Sequence, residues 1–82
     1  MKARNTLEYI IRNLIDEGEE VTIDEKVDEM GVLLTVEVSP YQTGKIIGSR
    51  GATADAIRNI IRAIGMSEKK RVSLSIIDPK RK

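Results

Sequence analysis

The residues with the clearest chemical potential lie between Gly44 and Gly51, a stretch that reads Gly-Lys-Ile-Ile-Gly-Ser-Arg-Gly. Glycine tolerates positive φ and lacks a Cβ, so Gly48 and Gly51 allow a sharp turn and the close approach of another backbone. Where a helix begins after such a turn, its free N–H groups and its dipole favour an anion. Arg50 inside the turn and Lys45 upstream of it would add cationic contacts. The stretch therefore predicts a clamp for a phosphate backbone.

The simpler interpretation of these glycines is that they let two helices pack at an angle. A glycine-x-x-glycine pattern is short and common, so by itself it favours this simpler interpretation. The context favours the clamp, because Ile46 and Ile47 precede the turn and an amphipathic segment and a strand follow it.

The composition excludes several other kinds of site. The chain has 82 residues with no cysteine and no histidine, which rules out disulfides and removes the commonest general base and zinc ligand. Gly44-Lys45 is not a P-loop, because no serine or threonine follows the lysine. No serine or threonine has an obvious activating base. We therefore expect no catalytic residue, no metal site, no cofactor and no enzymatic activity.

Charge is distributed unevenly along the chain. Residues 1–40 carry 4 Lys/Arg against 10 Asp/Glu, whereas residues 41–82 carry 10 Lys/Arg against 3 Asp/Glu. This asymmetry suggests that the C-terminal half faces an anionic partner. Two oppositely charged faces that attract each other within the fold are the alternative. Arg58 and Arg62 share one helix face, and basic runs occupy 69–71 and 80–82. These either extend a positive track or only solvate the surface, and Asp55 is placed to pair with Arg58.

Hydrophobic periodicity predicts the elements that position these residues. An apolar stripe with a 3.6-residue period predicts a first helix, capped by Asn5 and Glu8 and stopped by Gly18. Alternating apolar residues predict two strands joined as a hairpin at 28–31 and a third strand over 72–76. Ser39 begins a second helix, which we expect to be short because Gly44 and Gly48 interrupt it, and Gln42 is expected to complete a capping box there.

A longer third helix is predicted from about Ala52 to Gly65, with a buried apolar stripe formed by Ala54, Ile57, Ile60, Ile61 and Ile64. The order α-β-β-α-α-β predicts an α+β fold, in which a three-stranded mixed sheet carries three helices on one face. A right-handed crossover through two helices would make the second and third strands parallel. We expect one domain over residues 1–79 and a basic tail at 80–82.

The string from Gly44 to Gly51, followed by Ala54 and Ile57, closely resembles the KH-domain signature, and the element order resembles the prokaryotic type II form. Over residues 5–78 the chain is similar to the small stand-alone bacterial KH proteins of the KhpA type. The resemblance implies an RNA-binding domain whose glycine loop clamps the backbone of about four nucleotides of single-stranded RNA. The site residues that it implies are Lys45, Ile47, Gly48, Ser49, Arg50, Gly51, Ala54 and Arg58. The opposite wall would come from the sheet edge and a neighbouring loop, whose residues the sequence does not assign.

The resemblance also implies a homodimer or a heterodimer with a larger KH-domain-containing protein, and a role as an RNA chaperone. The alternative is a protein-interaction scaffold of the same fold with weak or no nucleic-acid binding. Tyr41 is expected to pack against the sheet rather than stack on a base. No apolar run approaches the length of a membrane span and no signal peptide is recognisable, so we expect a cytoplasmic protein.

Overall fold

The computed structural model describes residues 1–78. Over that range the elements follow the order α1 (Lys2–Leu14), β1 (Val21–Asp28), β2 (Gly31–Val38), α2 (Pro40–Ile47), α3 (Ala52–Ser67) and β3 (Val72–Ile76), with a 3-10 turn, Ser49–Gly51, between α2 and α3. The α+β class and the order α-β-β-α-α-β are thus confirmed. The end of the expected domain at residue 79 and the basic tail at 80–82 lie outside the described residues.

The sheet has the strand order β1-β2-β3 and is mixed, as expected. β1 and β2 form an antiparallel hairpin in which Asp28 pairs with Gly31, so a two-residue turn closes it. β3 lies parallel to β2, from Val32 opposite Val72 to Val36 opposite Ile76. The outer strand β3 therefore presents one free backbone edge.

The core lies between the helices and the inner face of the sheet. Alternate residues of β2 point inward, and all three helices of the described range contribute to the same apolar cluster, which confirms that they share one face. The buried apolar residues are Ala3, Leu7, Ile11, Ile15, Val32, Leu34, Val36, Val38, Ile46, Ala54, Ile57, Ile61 and Val72.

The ends of α1 differ from the prediction. The helix begins at Lys2 rather than near Asn5, because Ala3 extends the apolar stripe by one turn and is fully buried. Asn5 therefore lies inside the helix, and Glu8 accepts hydrogen bonds from arginines on neighbouring turns instead of forming a capping box. The helix also ends before Gly18, which is not its stop signal.

The end of α3 was also predicted wrongly. The helix continues past Gly65 to Ser67. Gly65 is buried where α3 crosses β3, and a Cβ at this position would lie 2.5 Å from Val72 Cγ2. Ile60 is 46% exposed because it lies beside the buried line through Ile61 and Gly65. The function of Gly65 is therefore close packing, not helix termination.

We expect Gly65→Ala to lower the free energy of unfolding by about 1–3 kcal/mol, because overpacking against Val72 outweighs the better helix propensity of alanine. Gly44→Ala is the matched control. Gly44 also lies inside a helix, contrary to the expectation that it interrupts α2, but a Cβ there meets nothing within 4 Å. It should stabilise the protein by about 0.5–1 kcal/mol. Urea denaturation followed by circular dichroism measures both, and equal stability of the two variants would contradict the packing argument.

Candidate functional site

The turn between α2 and α3 requires glycine for two different reasons. Gly48 has φ 76° and ψ −179°, a region that is essentially restricted to glycine. A Cβ at Gly48 would also lie 2.2 Å from Thr53 Oγ1. Gly51 has φ 76° and ψ 10°, a left-handed conformation, with open space where its Cβ would lie. Conformation and packing thus fix the first glycine, and conformation alone fixes the second.

Arg50 lies between these glycines, also in a left-handed conformation, with φ 56° and ψ 26°. Ser49 and Arg50 are both exposed. Within the described residues, Arg50 forms neither an ion pair nor a side-chain hydrogen bond. No side chain caps the N-terminus of α3. The N–H of its first residue, Ala52, donates to the Ser49 carbonyl, and the N–H groups that follow in the first turn have no side-chain partner next to Arg50. The turn therefore combines a guanidinium group and backbone donors, an arrangement that suits a phosphate.

A groove of about 220 Å³ runs beside this turn. It is lined by Ile47, Arg50, Gly51, Ala54, Asp55, Arg58, Ile76 and Asp78. Five of the residues predicted for the site lie together here, namely Ile47, Arg50, Gly51, Ala54 and Arg58. The other three, Lys45, Gly48 and Ser49, belong to α2 and the turn but do not line the groove.

Sequence reasoning left the opposite wall of the groove unassigned. The structure supplies it with Ile76 at the end of β3 and Asp78 just beyond it. The parallel pairing of β3 with β2 brings these residues to the turn across more than twenty residues of sequence. The alternation of Val72, Leu74 and Ile76 was the available signal, but it identifies a strand and not what the strand faces.

Arg58 joins the helix wall of the groove to the sheet edge. Its Nη1 donates to Asp55 Oδ1 at 3.2 Å, and its Nε donates to the Leu74 carbonyl at 3.5 Å. The ion pair with Asp55 is the one that the spacing suggested. Because the Leu74 carbonyl lies on the free edge of β3, Arg58 also covers part of that edge.

Lys45 is engaged away from the groove, in an ion pair between its Nζ and Asp16 Oδ1. Gln42 completes this cluster, since its Nε2 donates to Asp16 Oδ2 at 3.0 Å and its Oε1 accepts from the Asp16 N–H at 3.1 Å. The capping box expected for Gln42 is therefore absent, and Ser39 alone caps α2. Hydrogen bonds from Lys45 and then Gln42 hold the pKa of Asp16 below its ordinary value.

Three further observations bear on the kind of protein and site. Tyr41 is 90% exposed, so the expectation that it packs against the sheet is wrong. Across residues 1–78, no group of three or more His, Cys, Asp or Glu residues is placed to hold a metal ion. In the same range, no helix is both long enough and apolar enough to cross a membrane.

The two glycines of the turn should differ in their sensitivity to alanine. We expect Gly48→Ala to lower the free energy of unfolding by about 2–4 kcal/mol, through backbone strain and the collision with Thr53. Gly51→Ala should cost about 1–2 kcal/mol, because it meets the conformational penalty alone. Denaturant unfolding checks both, and a larger loss for Gly51→Ala would contradict the observed geometry of the turn.

The Asp16 cluster should make stability depend on pH. Because the pKa of Asp16 is lowered in the folded protein, its stabilising contribution is present above the ordinary value of 3.8 and is lost as the pH falls through the folded pKa. The advantage of the wild type over Asp16→Asn should therefore be largest near neutral pH and shrink below about pH 4. Thermal unfolding between pH 3 and 7 measures it; an advantage that grows toward low pH would contradict the assignment.

Comparison with known proteins places the chain in a family. Residues 4–76 match the family model described as the KH domain of KhpA/KhpB. The RNA-binding protein KhpA of Clostridium acetobutylicum is 39% identical over 74 residues, which cover 90% of this chain and 99% of the relative. The RNA-binding protein KhpA of Aquifex aeolicus is 35% identical over 75 residues, which cover 92% and 95%. The match spans nearly all of both chains and includes the turn at residues 48–51, and the chain therefore belongs to the KhpA/KhpB family of KH domains.

Proposed function

We propose that this protein binds short stretches of single-stranded RNA, with the sugar–phosphate backbone on the turn at residues 48–51 and the bases in the groove beside it. The observation that carries the proposal is Arg50, an exposed guanidinium that has no acidic partner in the described part of the chain. It lies at the N-terminus of α3, which no side chain caps. KH domains clamp about four nucleotides with such a glycine loop, and the relatives from Clostridium are named RNA-binding proteins.

The groove suits bases through shape and hydrogen bonds rather than through aromatic stacking. Ile47 and Ala54 form one aliphatic wall and Ile76 the other, while neither tyrosine lines the groove. Asp55 and Arg58 offer an acceptor and donors to the edges of bases. Because neither tyrosine lines the groove, it lacks the contribution of about 1–3 kcal/mol per base that stacking on an aromatic ring supplies. A single groove of this size therefore gives modest affinity.

The turn residues divide the work of holding the backbone. Gly48 and Gly51 shape the turn, Arg50 supplies charge, and the Ser49 hydroxyl supplies a further donor. Lys45 contributes less than Arg50, because Asp16 neutralises part of its charge and holds it away from the groove.

The wider role follows from a small site on a small domain. We infer a single non-catalytic domain over residues 1–79 that acts in the cytoplasm as an RNA chaperone. It would act as a homodimer or with a larger KH-domain-containing partner, because linking two weak sites raises the overall affinity through effective concentration.

Fluorescence anisotropy with labelled single-stranded RNA, single-stranded DNA and duplex RNA tests the proposal. The double variant Ser49→Asp/Arg50→Asp should bind single-stranded RNA at least about tenfold more weakly than the wild type, since two aspartates repel phosphate where a cation attracted it. The turn glycines remain, and circular dichroism checks the fold.

The matched control is Lys2→Asp/Asn5→Asp on the exposed side of α1, which changes the net charge by the same amount. It should bind RNA nearly as the wild type does. If the turn variant and this control bind equally well, the turn is not the clamp. If the wild type binds no RNA at micromolar concentration, the protein-interaction scaffold replaces the RNA-binding proposal.

A further inference from the structure

Two cations flank α3 in a conformation that costs them energy. Within residues 1–78, the non-glycine residues with positive φ are Arg50, at 56°, and Lys69, at 59°. Arg50 immediately precedes α3, and Lys69 lies just past its C-terminal cap. Left-handed backbone is unfavourable for residues with a Cβ. Backbone strain of this kind is typical of functional sites, so it points to a function for the charge of each residue.

The backbone at the end of α3 does not itself call for lysine. The Lys69 N–H donates to the Met66 carbonyl at 2.9 Å, and the Lys70 N–H donates to the Gly65 carbonyl at 2.8 Å. These two bonds form a Schellman motif, and Lys69 occupies the position where glycine is usual. Glycine would adopt this conformation without strain. The Schellman motif therefore does not explain why lysine occupies position 69, and the reason must lie in its side chain.

Lys69 lies on a second groove, of about 620 Å³, whose charge is purely cationic. Its lining residues are Arg62, Met66, Lys69, Lys70, Arg71, Val72 and Ser73. None of the four cations forms an ion pair with an acid of the described chain. Glu68, the acid of the same turn, does not line this groove. Four such cations around an apolar floor suit an anionic polymer with exposed bases.

A neighbouring groove shows which path such a polymer would avoid. This groove, of about 530 Å³, shares residues 69–71 but is also lined by the hairpin acids Glu25, Asp28 and Glu29. Like charges repel a phosphate backbone there. The path along α3 is therefore electrostatically preferred over the path across the hairpin.

The two ends of α3 are connected by arginines on one helix face. Arg58 lines the groove beside the turn, and Arg62 lines the second groove. They are four residues apart, which is about 6 Å along the helix axis. A path that is mainly cationic thus leads from Arg50 past these arginines to residues 69–71, alongside the free edge of β3. Its acids, Asp55 and Asp78, lie in the groove beside the turn, where Asp55 pairs with Arg58.

We propose that this second groove binds the sugar–phosphate backbone of the same single-stranded RNA, so that a strand longer than about four nucleotides follows α3 from the turn to Lys69. The inference rests on the proposed function, because the turn holds the first nucleotides. The second groove then contributes sequence-independent affinity that grows with RNA length and falls with salt.

The test compares an RNA of about five nucleotides with one of about twelve, in the wild type and in Arg62→Gln/Lys69→Gly/Lys70→Gln. For the short RNA the variant should bind within about twofold of the wild type. For the long RNA it should lose about fivefold or more, and the slope of log K against log salt should fall by about 2 for three lost phosphate contacts. The control Lys2→Gln/Arg12→Gln/Lys26→Gln removes three cations elsewhere. It should change neither the affinity for the long RNA nor the slope of log K against log salt.

Folding is separated from binding by Lys69→Gly alone, which should melt at or above the wild-type temperature because it relieves the left-handed strain. The double variant Arg62→Gln/Lys70→Gln keeps Lys69 and its left-handed backbone. Its affinity for the long RNA should also fall below that of the wild type. If the wild type binds short RNA but the triple variant keeps full affinity for long RNA, the second groove is not a binding site. If the wild type binds neither RNA, the proposed function itself fails.

Discussion

The close packing of α3 against β3 is the contact on which the rest of the site depends. Gly65 lets Val72 approach to a distance that any Cβ would prevent, and Arg58 reaches the Leu74 carbonyl further along the strand. Since β3 is also fixed to β2 by parallel pairing, the helix and the strand edge are held side by side. The walls of the groove beside the turn, Ala54 on the helix and Ile76 on the strand, face each other because of this contact.

Over residues 1–78, few ion pairs connect the acidic N-terminal half of the chain to its basic C-terminal half. Attraction between the two halves therefore does not account for the charge asymmetry. In the described residues, the ion pairs of Glu8 lie within α1 and that of Asp55 lies within α3. The pair between Lys45 and Asp16 is the one in this range that connects the acidic half to the basic half. Within the described residues, the hairpin acids form no ion pair with the cations at residues 69–71, although both line one groove, and Arg58 is the cation of α3 that an acid pairs. Uncompensated charge of one sign along a groove raises the local concentration of oppositely charged ligand.

The features that could be predicted from the sequence are those that residues close together in the chain determine, such as the strands and the turn. Alternation in β2 and β3 and the crossover through two helices predicted the strand pairing. The resemblance of the glycine turn to the KH signature implied the five residues that line the groove. Several of the failures share a physical cause, which is a partner distant in sequence. Gln42 left its capping box because Asp16 competes for its amide across 26 residues, and Asp16 likewise withdraws Lys45 from the groove. Gly65 resembled a helix stop because its packing partner Val72 belongs to another element. The groove residues Ile76 and Asp78 carry no local sign of what they face.

The two non-glycine residues with left-handed backbone in the described range, Arg50 and Lys69, lie at the ends of α3. Each left-handed non-glycine residue costs on the order of 1 kcal/mol, which is appreciable for a domain whose total stability is of the order of 5–15 kcal/mol. The backbone around Arg50 is held by hydrogen bonds from the Gly51 and Ala52 N–H groups to the Gly48 and Ser49 carbonyls. The Schellman bonds hold the backbone around Lys69. A cation whose backbone is already fixed loses less conformational entropy on binding than one on a mobile loop. Strain in the folded protein and the proposed affinity for an anion would thus be two consequences of the same fixed backbone at the ends of α3.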